Sequence, residues 1–149
     1  MIREWTVQEA MTDKRVANFM KAFEQATSLV KVDSDYTFDR YSELMQKGIC
    51  KILISEEDGT NELQGCIGFF VIDDIHEPVK IAVESFWFVH PNYAGVGKVL
   101  FNAFEKLAVE LGCKKLAMIH LVDSYPDNLK KFYEKNGYKL GELHYVKEI

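Results

Sequence analysis

The stretch that decides the fold runs from residue 81 to 112 and reads IAVESFWFVHPNYAGVGKVLFNAFEKLAVELG. Its first part is an almost unbroken apolar and aromatic run, the pattern of a buried strand. Its last part carries Leu100, Ala103, Phe104, Leu107, Ala108 and Leu111 at helical spacing, with Lys98, Asn102, Glu105, Lys106 and Glu110 facing outward. Gly95-Val96-Gly97 separates the two, and Gly112 stops the helix. A strand, a glycine turn and a helix N-terminus together make a site for an anion. The first N–H groups of the helix have no partner inside it, the macrodipole adds partial positive charge, and glycines let an anion approach the backbone.

Downstream, KKLAMIHLV (114–122) reads as a buried strand, and the strand–helix–strand crossover makes it parallel to 79–89. PDNLKKFYEKN (126–136) is a short helix that starts at Pro126 and stops at Gly137, and YKLGELHYVKEI (138–149) closes the chain as one or two strands. Upstream, ICKILIS (49–55), ELQGCIGFFVID (62–73) and VKIAVESFWFV (79–89) form a meander, with Asp58-Gly59 as its first turn. Residues 2–8 make an opening strand. Thr12 or Asp13 caps a helix on which Val16, Phe19, Met20 and Phe23 share a face. Ser34, Asp35 or Thr37 caps a second helix bearing Phe38, Tyr41 and Met45, which ends at Gly48. The order β-α-α-β-β-β-α-β-α-β predicts one α/β (α+β) domain over residues 1–149. Its mixed, mostly antiparallel sheet has six to seven strands, with helices on both faces.

Bulk properties narrow the function. A net charge of −5 argues against general affinity for nucleic acid and mildly favours a cationic substrate. No apolar run is long enough to cross a membrane, and MIREWTVQEAMTDK lacks the apolar core of a signal peptide. Cys50, Cys66 and Cys113 are single, with no CxxC and no nearby histidine pair. They read as buried reduced thiols in a cytoplasmic protein, with no metal site and no disulfide framework.

Three phosphate-binding patterns compete at the glycine turn. A dinucleotide fingerprint requires glycine where Leu100 stands. A P-loop requires four residues between its glycines and Ser or Thr after its lysine, where this chain has one residue and Val99. The pattern that survives is G-x-G opening a helix after a strand that ends V-x-P, and it resembles the signature Q/R-x-x-G-x-G/A of the GNAT-type (Gcn5-related) N-acetyltransferases. The order of elements is similar to that fold along nearly the whole chain. NLKKFYEKNGYKLGE resembles the family's late motif, in which an aliphatic or aromatic residue and a tyrosine precede E-K-x-G-[FY]. The pattern is depleted in places: Asn92 stands where the family usually has arginine or glutamine, followed by Tyr93 and Ala94. Pro126 stands where the late motif has asparagine, with Asn128 two residues on.

The resemblance implies acetyl transfer from acetyl-CoA to an amine. It assigns Phe88, Val89 and His90 to the pantetheine arm through their backbone, and Asn92, Tyr93, Ala94, Gly95, Val96, Gly97 and Lys98 to the pyrophosphate, with Asn128 nearby. It places Tyr133 where family members carry a tyrosine that protonates the departing thiolate. Glu84, the one acidic residue within the apolar strand, is the candidate base, because a desolvated carboxylate has a raised pKa. Ser85 is its alternative neighbour, and a bulge in this strand would change the face that Glu84 takes. His120 reads as a satisfied core residue, and His76 and His144 have no evident partner. Asp33, Asp35, Asp39 and Glu43 read either as an acidic rim for a protonated amine or as a solvated helix face. The expected partners are acetyl-CoA and an amine acceptor, with no nucleic acid and no membrane, and a homodimer is compatible with the resemblance. A second reading is a binding module that keeps the fold and CoA but has lost catalysis.

Overall fold

A computed structural model describes residues 1–149. The order is β1 (Ile2–Glu4), α1 (Val7–Thr12), α2 (Arg15–Lys21), a 3-10 turn (Ala22–Gln25), α3 (Ser34–Gln46), β2 (Cys50–Glu56), β3 (Leu63–Asp73), β4 (Lys80–Val89), α4 (Val96–Glu110), β5 (Cys113–Ala117) and α5 (Pro126–Lys135). The sheet runs β1-β2-β3-β4-β5, antiparallel except for the parallel β4–β5 pair. Each face is covered. Trp5, Val16, Met20, Met45, Ile52, Ile54 and Phe86 pack under α1–α3, and Leu53, Ile67, Phe69, Ala82, Leu100, Phe104 and Ala108 pack under α4.

The mixed α/β class and the two covered faces agree with the sequence reading; the strand count does not. The sheet has five strands, because residues 138–149 join no ladder and β5 stops at Ala117 instead of running on to 122. A strand exists only by pairing, so a stretch without a ladder partner is not one, whatever its composition. The opening also differs. The strand ends at Glu4, and α1 begins behind a capping box in which Thr6 Oγ1 accepts from the Glu9 N–H (3.1 Å) while the Glu9 carboxylate accepts from the Thr6 N–H (2.8 Å). At the second predicted helix the cap is Asp33, which accepts from the Tyr36 N–H at 3.0 Å.

Arg3 and Arg15 close the sheet's far end. Both bind the buried Glu56 carboxylate, Arg3 also binds Glu9, and both guanidinium groups lie over the Trp5 ring. This network lies at the opposite edge of the sheet from β5 and leaves the β4–β5 end to the chemistry.

Candidate active site

β4 and β5 pair only from Lys80–Val83 against Cys113–Ala117 and then separate. The cause lies in β4. Glu84 is opposite Phe69 and Phe86 is opposite Gly68, so Ser85 is an extra residue in the ladder. Such a bulge bends and twists its strand, which carries the second half of β4 away from β5. It also shifts the alternation. Ala82 and Glu84 face the α4 side, but beyond the bulge Phe86 and Phe88 turn to the α2–α3 side, while Trp87 and Val89 take the α4 side. Gly68 makes this possible, since a Cβ there would lie 2.2 Å from the Phe86 ring.

Glu84 and Tyr133 meet at the split. The Glu84 carboxylate accepts from the Ile119 N–H (2.9 Å), and the Tyr133 hydroxyl donates to the Ile119 carbonyl (2.9 Å). The two backbone groups that would have continued the β4–β5 ladder are thus held by side chains. Glu84 is 6% exposed and Tyr133 8%. Burial pushes the Glu84 carboxyl up to about 7, against the opposing effect of the Ile119 N–H. Burial, then the neighbouring Glu84 charge, pushes the Tyr133 phenol well above its ordinary value, so it is a neutral donor. A carboxyl that titrates near neutrality beside a protonated phenol can take one proton and give another.

The turn adds anion donors. Gly95 adopts φ +90°, a conformation that only glycine takes without strain, and caps α4 without a side chain. His90 shapes the loop: its carbonyl accepts from the Tyr93 N–H (3.0 Å) and its Nδ1 from the Asn92 N–H (3.3 Å). The Val96 N–H reaches the Tyr93 carbonyl, whereas those of Ala94, Gly95, Gly97 and Lys98 have no partner in the chain. Lys98 is exposed and has no carboxylate partner, and Asn92 and Asn128 are exposed beside the turn and on the first turn of α5.

The backbone along β4 has a direction. The His90 N–H bonds to the Gln64 carbonyl (2.9 Å), and Phe88 is the next hydrogen-bonded partner of β3, opposite Cys66. Because the N–H and C=O groups of one residue point the same way and alternate along the strand, those of Trp87 and Val89 face the split. Of the three residues predicted to lend their backbone, Phe88 and His90 point to β3, and Val89 faces the opening together with Trp87. Trp87 did not stand out in the sequence, because nothing there fixed the parity.

Residues 14–138 match the Acetyltransferase (GNAT) family. The chain belongs to that family. None of the curated proteins matches it in sequence. Its fold resembles solved acetyltransferases. A probable acetyltransferase superposes with a TM-score of 0.79 at 13% identity, covering 100% of this chain and 97% of the other. A ribosomal-protein-alanine N-acetyltransferase from Brucella melitensis biovar Abortus 2308 gives 0.73 at 18%, with 100% and 99% covered. Glucosamine-6-phosphate N-acetyltransferase from Arabidopsis thaliana gives 0.73 at 18%, with 99% and 97% covered.

In this GNAT chain the free amides of the glycine turn are donors of the kind that the anionic end of the family's cosubstrate requires. Three buried side-chain polar atoms lack a hydrogen-bond partner within the chain: Ser85 Oγ on the α3 side, Trp87 Nε1 and His120 Nε2. Trp87 Nε1 would lie 3.7 Å from a Cβ at Gly97, which places it under the glycine turn. His120, expected to be satisfied, packs edge-on to Tyr133 at 6.3 Å with its Nε2 unpaired. The Tyr41 phenol lies beside Ser85 without closing a bond of normal geometry. One further residue sequence reasoning passed over is Asp123. It accepts from Thr27 Oγ1 (2.6 Å) and from the Ser28 N–H and hydroxyl (2.8 Å each), tying the chain after β5 to the loop after the 3-10 turn.

The acidic residues of α3 are largely engaged. Asp33 is the cap, Asp35 pairs with Lys14, and Glu43 pairs with Arg40 and Lys47. The three cysteines are free and buried, and burial pushes the Cys50 thiol up to about 12. No helix is long and apolar enough to cross a membrane, and no group of three His, Cys, Asp or Glu side chains is arranged to hold a metal ion.

Proposed function

We propose that the chain is a single-domain, acetyl-CoA-dependent N-acetyltransferase acting on a primary amine of a small cationic molecule or a protein, by direct attack in a ternary complex. The meeting of Glu84 and Tyr133 at the split, behind a turn with free amides, is the observation that carries this reading. The amides of Ala94, Gly95, Gly97 and Lys98 would hold the pyrophosphate, with Lys98 adding charge, and Asn92, Tyr93, Val96 and Asn128 line that end. Val89 and Trp87 would offer backbone groups to the pantetheine arm as a strand edge does to a peptide. Bound acetyl-CoA supplies the acyl group as an activated thioester. Glu84 would take the proton of the incoming ammonium, directly or through water. The neutral amine would then form the C–N bond as the C–S bond breaks, Tyr133 would give its hydroxyl proton to the departing sulfur, and the second proton shed by the nitrogen as it becomes an amide would restore the phenol through water. Buried thiols held protonated suit a reducing compartment, and we place the protein in the cytoplasm.

One observation favours a second reading, a module that binds CoA with little catalysis: both candidate groups are engaged by the Ile119 backbone. Thermal shift with acetyl-CoA and CoA, followed by thiol release across a panel of amines, separates the readings. Ligand present at about a hundred times its Kd adds about 2.7 kcal/mol of stability. No shift with either ligand refutes the cofactor site. A shift without thiol release across the panel favours the module.

A further inference from the structure

We propose that Asp123 is a positioning residue that latches a loop across the acceptor face of the split, and that the latched loop favours amines carried on a slender, unbranched chain. This inference rests on the acetyl-transfer reading above. Residues 26–31 leave the 3-10 turn as a loop with a closed base: the Glu24 carboxylate accepts from the Val32 N–H (2.5 Å), and the Lys21 ammonium donates to the Val32 carbonyl (2.6 Å). The rest of the loop is held from the segment after β5. Thr27 Oγ1, the Ser28 N–H and Ser28 Oγ all donate to Asp123, and every hydrogen bond between the two segments ends on that one carboxylate. These bonds, the one from Thr27 most, hold its carboxyl below the usual carboxylate range, so the latch is charged and formed at neutral pH. Thr27 is buried, whereas Ser28 and Asp123 are exposed, so the latch lies at the surface and not in the core.

The latch closes a ring of contacts around the split. On the β4 arm, Phe88 lies past the bulge on the α2–α3 face, with the Phe19 and Phe23 rings 5.1 and 5.8 Å from its own. Phe23 belongs to the 3-10 turn that leads into the loop. On the β5 arm, Ile119 is held by Glu84 and Tyr133, and Asp123 follows in the same segment. The two arms that part at the bulge are thus tied together again on this face through Asp123. The cosubstrate enters from the glycine turn on the α4 side, so the amine reaches the thioester from the opposite face and passes beside the loop. A ring held at fixed width admits an ammonium on an unbranched chain and obstructs one on a branched or ring carbon. Selection then comes from a clash with the wrong acceptor and needs no added contact to the right one.

The test is thiol release from acetyl-CoA by the full chain, with a panel that sets unbranched primary amines beside ring-bearing ones, 1,5-diaminopentane beside cyclohexylamine among them. Wild type is compared with Asp123→Ala and Asp123→Leu; leucine keeps the bulk of the side chain and removes its acceptors. The expected result is a wild type that prefers the unbranched amines in kcat/KM, and a preference that falls by about tenfold or more in both variants. Both variants keep kcat for the unbranched amine and KM for acetyl-CoA within about twofold, which separates a lost latch from a loosened site. The same preference in wild type and variants overturns the proposal while leaving acetyl transfer standing, as does a wild type that prefers the ring-bearing amines. A wild type that releases thiol with no amine of the panel refutes the acetyl-transfer reading itself, and the proposal falls with it.

Discussion

Glu84 carries a stability signature that can be measured apart from catalysis. Its carboxyl is 6% exposed and its pKa is pushed from an ordinary 4.5 to about 7 by burial. Glu84→Gln keeps an oxygen for the Ile119 N–H and removes the titration. Below about pH 4.5 the carboxyl is protonated in both folded and unfolded chains, so wild type and variant depend on pH alike. As pH rises through the window from 4.5 to 7, the unfolded chain releases this proton first. The folded wild type therefore loses stability relative to the variant, and above 7 the loss levels off at about 3 kcal/mol. Between about pH 5 and pH 8, roughly 2–3 kcal/mol of it develops. Urea unfolding of both proteins at each pH reads the difference, and all other titrations cancel between them. Glu84→Gln should gain on wild type across this interval. Parallel curves would refute the buried, raised carboxyl. In turnover the same group should give kcat/KM a rise with pH centred near 7, absent from the variant.

Tyr133→Phe should lower kcat by roughly 10²–10⁴ if the phenol is the general acid, and cost about 1 kcal/mol in unfolding because the Ile119 carbonyl loses its donor. Stability loss with unchanged kcat would leave Tyr133 a packing residue. Gly68→Ala puts a Cβ 2.2 Å from the buried Phe86 ring and should destabilise by about 1–3 kcal/mol in chemical denaturation, relieved when Phe86→Leu is added. A neutral Gly68→Ala would mean that the bulge yields easily. Lys98→Ala should weaken acetyl-CoA binding by about fivefold or less, and by less still in high salt, because an exposed cation contributes little. A hundredfold loss in calorimetry would put that charge, not the free amides, at the centre of the grip.

The helix over residues 96–110 and the glycine turn were legible because their pattern is local: apolar positions at helical spacing and Gly95 where the chain needs a positive φ. Thr6 and Glu9 were equally legible as a capping box, yet the alternation of residues 2–8 outweighed them. The bulge at Ser85 was not legible. Nearly every residue from Ile81 to Val89 is apolar, so both faces look buried and no break in alternation marks the extra residue. The direction of the Phe88, Val89 and His90 backbone follows from the register against Gln64 and Cys66, a tertiary fact. Residues 138–149 show the reverse case, in which one or two strands are expected but their formation depends on a partner that the sequence does not name.

Ile119 joins the structural and chemical sides of the site. Had β5 continued to pair with β4, the Ile119 N–H and C=O would have joined the ladder, and the split would have closed over the place an acyl group needs. Glu84 and Tyr133 take those two groups instead, so the residues suited to move protons also hold the strands apart. Any variant that empties one of these positions can abolish turnover merely by letting the split relax. Gln at 84 and Phe at 133 divide the roles differently. The first keeps the bond to Ile119 and loses the base, whereas the second loses both the bond and the acid. An activity loss at 84 with the stability gain intact therefore belongs to proton transfer. A loss at 133 belongs to it only when it exceeds what one missing hydrogen bond explains.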